Sequence, residues 1–545
     1  MRLSDLSVTS IIAVLSALLF ISFIGSVPLF DGNEVDLAES AREMVITNDY
    51  STPRIDNEVA YENSPVPVWL QAISMNLFGI NEFASRFPNV MCGIITVLVL
   101  IRMGKKIFSI EFGLLWVLLY VGSLIPHLYF KSATADPWFN LFLFSSMYYF
   151  ILFIEKETTS SSDSSLLLSA FFTGLAMLTK GTVLLLVVLL FFLIYWIYKR
   201  FNSFISVSQL FVYIIVSAVL GWSWFMYELW TGKIDFFAEY MNYLVSMSGT
   251  SENYLRSTLY CCILLFIGGF PSSILVFRLG KQFDSDNSLQ KDFKTWMLLA
   301  LLVTFVLSLI VPAGIADLFS FAFLPLTFLA AYCVNKIINY EMGWKSWMTT
   351  AVFMIGSLWA LILTLFPRID VVSRKGIFKW LVSDKSLLAS LDTPVEHSAI
   401  EFLAGPALFV MLLMVLYRFK KREPYKSVLA LISVLFLFVL TSVWIVIPKI
   451  EQYTQGVPVE FYKSLAGKEC YVETIGFKSS TSLFYTQKLP ASDPNSANMS
   501  WLMNEAVDRP VYFVGLSEDM ETNKRLYPGI EELYSKGGFT FYRKK

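Results

Sequence analysis

The chain predicts a polytopic α-helical membrane protein with about 13 transmembrane helices, followed by a small soluble α/β domain. Three observations carry that prediction. Of 545 residues, 56% are hydrophobic and only 16% are charged, far more apolar than a soluble domain. Aromatic residues make up 16%, which suits belts of Trp and Tyr at two membrane interfaces. Lys and Arg gather at alternate ends of the apolar stretches instead of being spread evenly. The net charge of −1 offers nothing for a nucleic acid to recognise.

Residues 8–29 form the first element, a signal anchor. The apolar run after MRLSDLSVTS is too long for a signal-peptide core and lacks a small-residue cleavage site. Stretches of the roughly 20 apolar residues that a span needs begin near residues 8, 85, 109, 135, 165, 181, 206, 256, 295, 315, 347, 399 and 427. The fifth and sixth are parted only by Thr179–Gly181. With a cytoplasmic N-terminus, the even-numbered stretches end at Arg102, Lys105 and Lys106, then at Lys199 and Arg200. Later ends carry Arg278, Lys281, Lys291 and Lys294, then Lys336 and Lys345, then Arg418, Lys420, Lys421 and Arg422. All fall on one side, as the positive-inside rule requires.

The opposite side then holds loops at about 30–84, 225–255 and 367–398 and the tail after Pro448. This divides the chain into a transmembrane domain, residues 1–448, and a soluble domain, residues 449–545. In the tail, CYVETIGF, SLFYT, VYFVGL and FTFYR read as strands alternating with polar segments such as WLMNEAVD. Cys92, Cys261, Cys262 and Cys333 lie in apolar segments and Cys470 in the tail, a spacing that suits neither a disulfide framework nor a metal site.

The first outer loop opens with PLFDGNEVDLAESAREM, residues 28–44. Leu37, Ala41, Met44 and Val45 share one helical face, which predicts an amphipathic helix on the membrane surface. Glu39, Arg42 and Glu43 lie off that face and read as solvated, paired at i,i+3 and i,i+4. A second surface helix, VWLQAISMNLFG, follows Pro65 and Pro67. Asp31 and Glu34 stand at the turn, where an acid either caps the helix or lines a site. Asp136 reads as a cap of the fourth span or a site carboxylate; Lys131 and Lys180 read as interfacial snorkels or phosphate ligands. His127 closes an apolar span and reads as a packed or interfacial histidine, while His397 suits either role.

Several of these stretches, in their order, carry a resemblance. PLFD..E...AESAREM, YE..P...W, LFGINEFASRFPN, the run from Lys131 to Asn140 and GLAMLTKG resemble the GT-C-fold glycosyltransferases of the protein O-mannosyltransferase and lipid A aminoarabinose transferase type. The likeness covers most of the first 330 residues, with a weaker echo in GFKSSTSLFYT of the tail. It implies a GT-C membrane fold and a catalytic cavity on the non-cytoplasmic side. It also implies transfer of a hexosyl or pentosyl group from a polyprenyl-phosphate carrier to a lipid or protein hydroxyl. In that family an Asp-Glu pair opens the first surface helix, a second Asp starts the fourth span, and Lys-Pro-Pro follows in the first loop. A Lys…His-Tyr sequence often stands between the ninth and tenth spans.

This chain departs from that pattern. Asn33 stands where the Asp of the pair belongs, leaving Glu34; Asn63-Ser64-Pro65 replaces Lys-Pro-Pro; VPAGIADLFS carries Asp317 where basic or histidine residues are expected. SGTSENYLRST lacks the usual Gly/His character of its loop. Asp136, Lys131 and Lys180 persist.

The chemistry sets the roles. An acceptor hydroxyl needs a carboxylate as general base, and a departing phosphate needs cations facing it. An amide cannot take the proton, so Asp31 or Glu34 becomes the base, with Asp136 in support. Lys131, Lys180 and Arg256 face the phosphate, and Glu62 joins the substrate wall. Asp31, Glu34, Asp36, Glu62 and Asp136 are also the oxygen ligands a divalent cation would take, although no spacing demands one.

Two classes of function therefore stand. One is an active transferase. The other is a degenerate homologue that keeps the fold and serves as a lipid-binding or complex-assembly subunit with a membrane-protein partner. A secondary transporter is disfavoured, since the sequence has no inverted repeat. The resemblance implies a bacterial inner membrane, with the tail periplasmic.

Overall fold

In a bilayer each backbone amide must find its partner within its own segment, so apolar runs become helices. The computed structural model describes residues 5–155, 162–181, 184–232, 238–243, 261–279, 285–310, 316–368, 393, 395–421, 424–489 and 498–544. A helix lies in each of the thirteen predicted stretches. Among the described residues, six helices are long and apolar enough to cross a membrane, or up to eight if two bent pairs each count as one span. Among the described residues that falls short of thirteen spans. Ile110–Val121 and Leu184–Tyr198, for example, have 12 and 15 residues, short of the ~30 Å hydrocarbon thickness at 1.5 Å per residue.

The bent pairs are Val207–Gly221 with Ser223–Trp230, at 51°, and Cys261–Gly268 with Ser272–Arg278, at 97°. They are neighbours in the chain, not counterparts in two halves, so they lend nothing to a transporter reading.

The helix Phe323–Ile338 is buried along nearly its whole length and forms the axis of the bundle. Phe328 meets Trp116 at 5.0 Å between ring centroids, and Trp116 meets Phe144 at 5.5 Å. Against this core, α4 (Glu82–Ile107) and α5 (Ile110–Val121) cross in backbone contact: a Cβ on Gly104 would stand 2.4 Å from the Cα of Gly113. Outward residues stay bare, as in α1 (Asp5–Ile21), where Val14 and Leu18 are 59% and 65% exposed. Water would penalise that surface; acyl chains do not.

The basic ends of the helices meet at one end of the bundle. Gln290 donates to the Ile107 carbonyl at 2.9 Å, Lys199 faces Asp292 at 3.8 Å, and Lys336 pairs with Asp286 and Glu341, each at 2.8 Å.

The other end carries the first outer loop and the tail. Gly32, at φ 86°, turns the chain into α2 (Asn33–Thr47), and α3 (Pro65–Phe78) follows. Between them β1 (Arg54–Ile55) and β2 (Glu58–Val59) form a hairpin whose turn residues Asp56 and Asn57 both have positive φ. α3 keeps Ile73 and Leu77 exposed, as a surface helix on lipid should.

The solvated face expected for α2 is a correction. Glu39, Arg42 and Glu43 are only 1%, 2% and 2% exposed, because the outer hairpin and the tail close over them: the Asn57 amide reaches Glu43 at 3.0 Å and the Lys488 carbonyl meets Arg42. Arg42 grips Glu39 in two bonds of 2.7 and 2.6 Å and donates to the Lys488 carbonyl at 2.6 Å. Burial pushes the carboxyls of Glu39 and Glu43 up.

The tail sheet runs β3 (Tyr471–Ile475), β4 (Val511–Leu516), β6 (Phe539–Lys544), β5 (Ile530–Lys536), with β3 and β4 parallel and the other pairs antiparallel. SLFYT, expected as a strand, is instead the helix Thr481–Thr486. All six of its residues are buried, so no alternation distinguishes strand from helix. The last bundle helix runs on through Ile447–Thr454, past the boundary expected at 448.

Candidate active site

The site is built from the turn that joins α1 to α2. Glu34, in the first turn of α2, is 4% exposed and accepts from four donors. Arg86 of α4 contributes Nε to Oε1 at 2.8 Å and Nη2 to Oε2 at 3.0 Å. The Phe30 amide reaches Oε2 at 2.8 Å and the Ala133 amide reaches Oε1 at 2.7 Å. Arg86 also donates to the carbonyls of Ile24, Val27 and Pro28 at 2.7, 2.6 and 2.9 Å. Glu34 and Arg86 thus fasten the end of α1, the start of α2 and the 133 loop together. A carboxylate with two donors on each oxygen has little left with which to take a proton.

Asp31 is the opposite case. It is exposed, and Ser479 Oγ and Thr481 Oγ1 both donate to its Oδ1, at 2.7 and 3.0 Å. Its Oδ2 has no protein donor among the described residues. Asn33, two residues on, is exposed and opens α2. Asn63, at the position of the expected lysine, is a buried tie that donates to Ser40 Oγ at 2.8 Å and to the Asp36 carbonyl at 3.1 Å.

Two cavities meet at this turn. One, of about 400 Å³, is mainly apolar, with Phe23, Phe30, Leu128 and Trp444 in its wall beside Arg86 and Lys131. Lys131 donates to the Ser22 carbonyl at 2.5 Å and has no carboxylate partner among the described residues. Burial, helped by nearby Arg86, lowers its ammonium to about 8.

The other, of about 850 Å³, is a polar cleft between the first outer loop and the tail. Asp31, Asp36, Glu62 and Glu473 line it together with Lys478 and Ser480. Burial raises the Asp36 carboxyl against the Ser480 hydrogen bond, with Asp31 and Glu62 adding to the rise. Neighbouring residues therefore serve different spaces: Phe30 lines the apolar cavity and Asp31 the cleft.

The remaining predicted residues stand elsewhere. Asp136 and Lys180 form a pair at 2.7 Å, with Lys180 Nζ 5.2 Å from the Phe139 ring centroid, and neither lines the two cavities. Arg256 lies outside the described residues, as does the side chain of Asp317. His127 is fully buried beside Phe20, at 5.5 Å between rings. His397 bridges Glu401 at 2.5 Å and Tyr453 at 3.1 Å.

The five oxygen ligands do not assemble: among the described residues no three His, Cys, Asp or Glu side chains could hold a metal ion. Glu34 is spent on Arg86, and Asp136 on Lys180. Sequence reasoning assigned no role to Arg86, Gln455, Ser479, Thr481 or Tyr485, although RFPN and GFKSSTSLFYT contain four of them.

A helical membrane bundle with paired outer surface helices and a capping α/β tail is a GT-C architecture, and the comparisons agree. The chain superposes on the crystal structure of ArnT from Cupriavidus metallidurans bound to undecaprenyl phosphate with a TM-score of 0.70 and 15% identity, covering 98% of this chain and 97% of that one. Residues 62–222 match the family model of dolichyl-phosphate-mannose-protein mannosyltransferases. The undecaprenyl phosphate-alpha-4-amino-4-deoxy-L-arabinose arabinosyl transferase of Edwardsiella ictaluri is 23% identical over 239 residues, 42% of this chain and 43% of its own. The protein of the same description from Photorhabdus laumondii is 27% identical over 120 residues, 22% of each chain. The alignments span 22% to 58% of the curated relatives' lengths. The chain therefore has the fold of the ArnT structures, and its residues 62–222 are similar to the dolichyl-phosphate-mannose-protein mannosyltransferases.

Proposed function

We propose that this multi-pass membrane protein moves a sugar from a polyprenyl-phosphate carrier to a hydroxyl of a lipid or protein. The transfer takes place at the periplasmic face of a bacterial inner membrane. One observation carries the reading: Phe30 and Asp31 place an apolar cavity bearing a lysine back to back with a cleft bearing a half-free carboxylate. The carrier tail suits the first space, its phosphate facing Lys131; the acceptor suits the second.

In this reading Asp31 Oδ2 takes the proton of the acceptor hydroxyl. The acceptor oxygen bonds to the anomeric carbon as the bond from that carbon to the carrier phosphate breaks. The phosphate leaves with both electrons, and the Lys131 ammonium balances its charge. Glu34, Arg86 and the Asp136–Lys180 pair act by holding the walls.

The test uses purified full-length protein in lipid nanodiscs, supplied with undecaprenyl phosphate carrying mannose, glucose or 4-amino-4-deoxy-L-arabinose. Transfer or hydrolysis lost in Asp31→Asn supports the reading. Asn33, Asn63 and the saturated Glu34 favour the second reading, a lipid-binding homologue without turnover. Carrier binding with no release of sugar from any of the three donors would establish that one.

A further inference from the structure

We infer that the C-terminal domain is a working part of the transfer site, because Gln455, Ser479, Thr481 and Tyr485 position the turn that carries Asp31. The inference rests on Asp31 acting as the base, and it gives the tail a task that covering the cavity would not require.

Two residues of the turn, Leu29 and Asp31, are held from the tail. Tyr485 Oη accepts from the Leu29 amide at 2.7 Å, and Gln455 Nε2 donates to the Leu29 carbonyl at 2.6 Å. The same Gln455 side chain turns its Oε1 to the Asp31 amide at 2.8 Å. Ser479 and Thr481 then fix Oδ1 of Asp31 itself. Gln455 and Tyr485 are 8% and 5% exposed, and their two bonds to Leu29 are buried and shielded from competing water.

A passive cover would touch whatever side chains it met. This clamp instead satisfies one amide and one carbonyl of Leu29, the amide of Asp31 and one oxygen of its carboxylate. Orienting a base in this way acts on the chemical step and not on carrier affinity, since none of the four residues borders the apolar cavity. These are positioning residues.

The experiment compares full-length wild type with Gln455→Ala, with the double variant Ser479→Ala and Thr481→Val, and with the conservative double variant Ser479→Thr and Thr481→Ser. Each is assayed in nanodiscs with the three undecaprenyl-phosphate sugars, and binding of undecaprenyl phosphate is measured alongside. Thr481→Val keeps the shape of the side chain, and thermal unfolding identifies any variant that fails to fold.

The expected result is a kcat lowered about 10- to 100-fold in the first two variants, with KM for the carrier sugar and carrier binding unchanged. The hydroxyl-keeping variant should retain turnover. Hydrogen exchange should also quicken at the amide of Asp31 in Gln455→Ala, which removes its acceptor. Unchanged kcat in the clamp variants, while Asp31→Asn is inactive, overturns the inference and leaves the transfer reading standing. A wild type silent with every donor overturns the transfer reading, and the inference with it.

Discussion

Only Gly32 and Asn33 separate Asp31 from Glu34, yet the two carboxylates live in different physical worlds. Glu34 faces the bundle, where an arginine and two amides consume its lone pairs. Asp31 faces the cleft, where two hydroxyls hold one oxygen and leave the other without a donor. Glycine at position 32, with its positive φ, lets the chain reverse between them. The lesson is that an acid's role here follows from what arrives opposite it in space. Near a helix start, composition alone assigns both the same work.

The contrast is open to direct attack. Asp31→Asn should cut turnover by about 10²- to 10⁴-fold while thermal stability stays near wild type; retained turnover would remove Asp31 from the chemistry. Glu34→Gln should do the reverse, costing about 3–5 kcal/mol of stability because Arg86 stays buried without its anion. Unfolding in mild detergent, followed by intrinsic fluorescence, would measure it.

Asp136→Asn takes away the carboxylate that Lys180 pairs with. It should cost about 1.5–3 kcal/mol, the worth of a charged hydrogen bond, with a smaller loss of turnover than Asp31→Asn. The assay used for Asp31 checks that ranking.

A finer test uses pH. The lysine value is lowered from its ordinary 10.5 to about 8, so its charge disappears earlier on the way up in pH. Affinity for undecaprenyl phosphate should therefore weaken as pH rises through about 8, or somewhat above it once the phosphate is bound. Lys131→Arg keeps its charge throughout and should flatten that profile. The smallest effect belongs to Glu62→Gln. Glu62 is exposed on the cleft wall, so stability should change by no more than about 0.5 kcal/mol, and any consequence should appear in acceptor KM.

Much of the fold was legible. Apolar runs located every bundle helix, because each helix satisfies its own backbone and announces itself locally. The two surface helices were legible too, and so was the turn before the first of them that carries Asp31. Arg86 and the clamp residues were not. Their bonds join positions 52 to 456 residues apart, and no periodicity records a partner at that range. For the same reason α2 was misread: Glu39, Arg42 and Glu43 look solvated until the outer hairpin and the tail are laid over them. SLFYT defeated the strand pattern because every side chain in it is buried.

The clamp on the turn has a consequence for biosynthesis. The turn emerges from the ribosome more than 420 residues before Gln455, Ser479, Thr481 and Tyr485 do. Glu34 can lock earlier, once Arg86 and residue 133 have been delivered to the same side of the membrane. Assembly therefore has an order, bundle first and the turn at Asp31 last. On the function proposed above, a partly made chain would hold carrier lipid before it could act on it.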